Sequence, residues 1–96
     1  MEFAGKLDQI EVRFEEVTRQ LADPAVIGDS EQYRKAAKAH SELSEVVSKY
    51  REWKHVSSAL EQARGMMSDS DPEMREMAYA EIVGMEPRLA EIEEEL

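Results

Sequence analysis

Glu52 and His55 form the most reactive-looking pair in the chain, a Glu-x-x-His at helical spacing. That pair is how helical bundles present a carboxylate and an imidazole to a diiron or dimanganese centre, but such a centre needs a second pair and two further inward carboxylates. The only other histidine, His40, has Ala37 three residues before it, so the second pair is absent and His55 reads as a solvated or rim residue. Asp69-Ser70-Asp71-Pro72-Glu73 begins like a calcium loop. Met74 stands at the sixth position, where the tight loop needs glycine, and helix capping accounts better for those acids. There is no cysteine, which removes disulfide, zinc-thiolate and thiol-nucleophile chemistry. All four glycines (Gly5, Gly28, Gly65, Gly84) are isolated, so no phosphate-cradling loop is present, and no serine is placed beside a base. The sequence offers no catalytic residue, no cofactor site and no metal site.

Charge carries more information. The net charge of −10 argues against a general binder of DNA or RNA, which needs clustered cations. Residues 31–54 hold six Lys/Arg (Arg34, Lys35, Lys38, Lys49, Arg51, Lys54) against four acids, a balance of +2, whereas residues 55–96 hold three Arg against eleven acids, a balance of −8. A solvated helix face is the plain reading of both runs. The sharper one is a basic belt that meets an anionic partner, with the acidic end kept away from it or held on a basic protein.

Three helices must position these groups. Phe3, Leu7, Ile10, Phe14, Val17 and Leu21 step by 4, 3, 4, 3 and 4 residues, a seam for a first helix over about residues 3–22. Asp23-Pro24 stops it, because proline disfavours helical geometry before it and cannot donate its own backbone hydrogen bond. Gly28 supplies permissive backbone, Asp29 or Ser30 caps, and a second helix runs to about Ser68 along Leu43, Val46, Tyr50, Trp53, Ser57, Leu60, Arg64 and Met67. Ala36 and Ala39 or His40 extend that line upstream. Some 38 residues at about 1.5 Å each give a rod of about 57 Å. Asp69 or Asp71 caps a third helix with Pro72 in its first turn. Its seam is Met74, Ala78, Ile82, Met85, Leu89, Ile92 and Leu96, and a kink rather than a stop is expected at Pro87. Five of the six methionines lie between Met66 and Met85 and read as flexible core filling.

Short turns make consecutive helices antiparallel. The fold class is therefore all-α: an elongated antiparallel helical hairpin, or three-helix coiled-coil-like bundle, built on one long central helix as a single domain over residues 1–96. Phe3 and the Leu89–Leu96 end are expected to meet beside Val46, Tyr50 and Trp53, leaving the two turns at opposite tips. Neither a signal-peptide pattern nor an apolar run of about 20 residues is found, so the expectation is a soluble cytoplasmic chain with no membrane partner.

The two junctions also carry a resemblance. Leu21-Ala-Asp-Pro24-Ala-Val26, Tyr33 in the second helix, the stretch from Leu43 through Val46-Val47 to Tyr50, and above all Asp71-Pro72-Glu73-Met74-Arg75-Glu76-Met77-Ala78 followed by Glu81 resemble domain one of the bacterial class-I peptide chain release factors. The likeness spans essentially the whole chain and is nearer to the member that reads UAA and UAG than to its paralogue for UAA and UGA. The family's Gly-Gly-Gln hydrolysis motif is missing, since no two glycines are adjacent. So is the Pro-x-Thr that reads the stop codon, since Pro24, Pro72 and Pro87 are followed two residues later by Val26, Met74 and Leu89. The resemblance thus implies a non-catalytic N-terminal domain cut from a longer parent. It further implies the ribosome as partner, through ribosomal protein and rRNA at the stalk base of the large subunit, together with the GTPase that recycles release factors. The candidate contacts are Arg34, Lys35 and Lys38 in the belt, Asp23 and Pro24 at one tip, and Asp71 and Pro72 at the other. The competing reading is an autonomous coiled-coil adaptor, or a module that self-associates through a bared seam.

Overall fold

In a computed structural model describing residues 4–96, the regular structure is helical throughout: α1 (Ala4–Leu21), α2 (Pro24–Ile27), α3 (Ser30–Met66) and α4 (Pro72–Glu95). Phe3, the expected first member of the first seam, lies outside the described residues. The chain divides into two compact units, residues 1–48 and 49–96. The 37-residue helix α3 contributes its first part to one unit and its second part to the other. No helix among the described residues is long and apolar enough to cross a membrane.

In the first unit, α1 buries the stripe its spacing predicts. Leu7 and Val17 are buried, and Ile10, Phe14 and Leu21 are half-buried. Its partner is the first part of α3, where Ala36 and Val47 are buried and the Phe14 and His40 rings lie 4.6 Å apart between centroids. This contact, with the short connection from Leu21 to Ser30, makes the two helices antiparallel.

α1 ends on two tightened i→i+3 bonds, from the Ala22 N–H to Arg19 O (3.1 Å) and from the Asp23 N–H to Gln20 O (3.1 Å). The turn that follows holds one helical turn of its own, α2, so the chain restarts twice. Gly28 closes α2 at φ −74° and ψ −11°, an ordinary right-handed conformation. Its expected conformational freedom is therefore not used. What glycine provides is room, since a Cβ there would lie 3.3 Å from the Pro24 carbonyl oxygen.

In the second unit, the remainder of α3 pairs with α4, again antiparallel: Arg64 faces Glu86, and Trp53 faces Glu93. The α4 seam is covered as its spacing predicts, with Ala78 and Ile92 buried and Met74, Ile82, Met85 and Leu89 half-buried. The α3 seam departs from expectation. Tyr50 and Leu60 are buried, but Ala63 takes the place assigned to Arg64, and Arg64 and Met67 are exposed. A single heptad line presumes one partner along the whole helix, whereas α3 packs on α1 in one unit and on α4 in the other. α4 continues unbroken through Pro87, at the cost of the hydrogen bond that the Val83 carbonyl would otherwise accept. Met66, Met74 and Met85 are part-covered as core filling requires, but Met67 and Met77 are exposed.

Candidate functional site

The two Asp-Pro turns repeat one local solution. At the first, the Ala25 N–H donates to Asp23 Oδ1 (2.9 Å), with Pro24 opening α2. At the second, the Glu73 N–H donates to Asp71 Oδ1 (3.0 Å), with Pro72 opening α4. In both, the aspartate satisfies a helix N–H that lacks an intrahelical acceptor, and the proline occupies a position where no donor is required.

Asp29 resolves the other choice in the first turn. Its Oδ1 accepts from the Glu31 and Gln32 N–H groups (3.1 and 3.2 Å), while Gln32 Nε2 reaches back to Oδ2 (3.0 Å). Ser30 is thus the first residue of α3 and Asp29 its cap. In the second turn, Asp71 is the cap and Asp69 organises the approach. Asp69 Oδ1 accepts from the Asp71 N–H (2.8 Å), and the Asp69 carbonyl accepts from the Arg75 guanidinium (2.7 Å).

The cationic candidates separate in space. Arg34, Lys35 and Lys38 are all exposed on α3. Lys35 lies 3.5 Å from Glu31 with both side chains largely in water, a pairing that contributes little. It also lines a cleft of about 380 Å³ with Asp23, Arg13, Gln20 and Gln32, so Lys35 and Asp23 share one concave surface. Arg34 and Lys38 have no ion-pair partner among the described residues. Pro72 and Asp71 are exposed at the turn of the second unit.

Two of the other three cations have partners in the second unit. Lys49 pairs with Glu95, which raises the lysine pKa and lowers that of the carboxylate, the hydrogen bond between them being the main cause of both shifts. Lys54 sits over the Tyr50 ring, 4.7 Å from its centroid. Of the expected six-cation belt, Arg34, Lys35 and Lys38 are the cations exposed on the first part of α3.

The local tally could not have found the Lys49 pairing, because the partner acid comes from α4. Glu93 and Glu95 face α3 and receive Trp53 and Lys49, with the Trp53 indole N–H at 2.9 Å from Glu93 Oε1; Glu91 pairs with Arg88 along α4 itself. Glu52, read as half of a metal pair, accepts the Arg88 guanidinium instead. That bond, followed by the one to Glu91, is what raises the Arg88 pKa. His55 is exposed, and no group of three His, Cys, Asp or Glu able to hold a metal lies together among the described residues.

The described residues thus form an all-α module with two capped turns and a small patch of exposed cations. The chain belongs to the PCRF domain family, whose model matches residues 10–96. It is 48% identical over 91 residues to the protein named peptide chain release factor 1 from Acidobacterium capsulatum, covering 95% of this chain and 25% of that one. The protein of the same name from Maridesulfovibrio salexigens is 48% identical over 92 residues, covering 96% of this chain and 26% of the relative. The one from Oleidesulfovibrio alaskensis is 45% identical, with the same coverage. The resemblance drawn from the Asp-Pro junctions is thereby borne out. The chain spans about a quarter of the length of these curated relatives, and no solved structure matches it.

Proposed function

We propose that this chain is the non-catalytic N-terminal domain of a release factor 1 and serves translation termination at UAA and UAG codons in the cytoplasm. The observation that carries the reading is identity of 48% to a chain named peptide chain release factor 1, sustained over 95% of the sequence. In this role the domain positions rather than reacts. Its rigidly capped turns present Asp23-Pro24 or Asp71-Pro72 to the stalk-base region of the large subunit, within reach of the recycling GTPase. Arg34, Lys35 and Lys38 face rRNA, which three exposed cations on one stretch of α3 suit. The strong acidity of residues 55–96 keeps the second unit off other RNA surfaces.

The test is charge reversal (Arg34→Glu, Lys35→Glu, Lys38→Glu) in a full-length release factor 1 carrying this sequence as its first domain. Weaker ribosome engagement with unchanged peptidyl-tRNA hydrolysis at saturation is expected. Unchanged engagement overturns the assignment of these three residues. The family match weighs against an adaptor unrelated to translation.

A further inference from the structure

The outer face of α4 is apolar where an exposed helix ordinarily carries charge. Met77, Tyr79 and Val83 are 59%, 61% and 55% exposed and fall within seven residues of one another. At about 100° per residue, Ala80, Val83, Gly84, Pro87 and Ala90 share the side opposite the buried seam, with Met77 and Tyr79 along its two edges. All of these are exposed. The seam is already engaged with α3, so this second stripe adds nothing to the unit's own core. Single apolar side chains on a surface need no explanation, but a contiguous run does.

The stripe also has a shape. Ala80, Gly84 and Ala90 are small, and a Cβ built on Gly84 meets nothing within 4 Å. At its N-terminal end, Glu73, Glu76, Met77 and Ala80 line a shallow depression of about 460 Å³.

Charge selects the occupant. Glu73 and Glu76 stand at one end of this face and Glu91 and Glu94 at the other. Glu73, Glu76 and Glu94 have no ion-pair partner among the described residues. A second copy would bring the same acids against these, and nucleic-acid phosphates and anionic lipid would be repelled. An amphipathic helix with apolar side chains at i, i+3 or i+4 and i+7, and Lys or Arg on its flanks, satisfies both the apolar stripe and its acidic ends.

We propose that the outer face of α4 is a docking surface for a basic amphipathic helix of a partner protein. This inference does not depend on the release-factor reading.

The test selects binders to the full chain from a displayed library of 20-residue helical peptides with apolar, acidic and basic residues equally represented. Enriched peptides are expected to carry net positive charge beside an apolar stripe. Their affinity should fall at least tenfold for Val83→Glu and, separately, for the Glu73→Lys/Glu76→Lys double variant, with unchanged circular dichroism. Tyr79→Ser is a milder variant of the same face should Val83→Glu lose structure. The proposal is overturned if nothing is enriched, if the enriched peptides are neutral or acidic, if the variants bind them unchanged, or if sedimentation shows a self-dimer that Val83→Glu dissolves.

Discussion

Asp71→Ala tests the local logic of both turns. The substitution removes the acceptor of the Glu73 N–H at 3.0 Å and a negative charge at the start of a 24-residue helix. An N-cap aspartate contributes about 1 kcal/mol through its hydrogen bond. The helix dipole adds about 0.3–1 kcal/mol for the charge. The bonds from the Asp71 N–H to Asp69 and from the Arg75 N–H to the Asp71 carbonyl survive, because neither uses the Asp71 side chain. The expected loss is therefore about 1–2 kcal/mol, and for a chain of this size each kcal/mol lowers Tm by about 4–8 °C. Asp71→Asn keeps an oxygen at the capping position and should lose only the smaller, charge-dependent part. The assay is urea and thermal unfolding followed at 222 nm at neutral pH. An alanine variant as stable as the parent, or an asparagine variant as unstable as alanine, would refute the hydrogen-bond account.

Further outcomes follow from the packing and the ion pairs. Ile92→Ala, at a fully buried position, should cost about 2–5 kcal/mol in the same unfolding assay, whereas Met77→Ala should stay within about 0.5 kcal/mol. Pro87→Ala restores a donor to the Val83 carbonyl and should stabilise α4, by up to about 3 kcal/mol, seen as a higher unfolding midpoint. The Lys49–Glu95 pair should contribute only in the middle of the pH range. With the Glu95 pKa lowered, its contribution is lost as pH falls from the ordinary carboxylate value of 4.5 toward the lower folded one. With the Lys49 pKa raised, the contribution is lost again as pH rises beyond 10.5. The Tm difference between the parent and Glu95→Gln, measured across pH, should rise and fall accordingly and shrink in high salt.

The sequence showed the ends and the stripes of this fold better than its cross-links. Asp29 and Asp71 were among the recognisable candidate caps because capping is local, the side chain bonding to backbone two or three residues on, whereas Asp23 was legible only as a helix stop and its capping of α2 was not. The α1 and α4 seams were recognisable because each serves a single neighbour within its unit. Ala63 in place of Arg64 was not, since α3 changes partner along its length and a repeat written on one helix cannot record that. Nor was the withdrawal of Lys49 from the basic belt, because Glu95 lies 46 residues away in sequence. The outer face of α4 was hidden differently. Met77 belongs to a methionine cluster that composition assigns to the core, and only its exposure shows that it faces outward.

The central claim is that this domain carries its own ribosomal docking site, and co-sedimentation with bacterial ribosomes stalled at UAA tests it most directly. The account predicts that the chain pellets with these ribosomes, that full-length release factor 1 displaces it, and that the Arg34, Lys35 and Lys38 reversal abolishes the effect. A chain that stays in the supernatant, or pellets without being displaced, would contradict it.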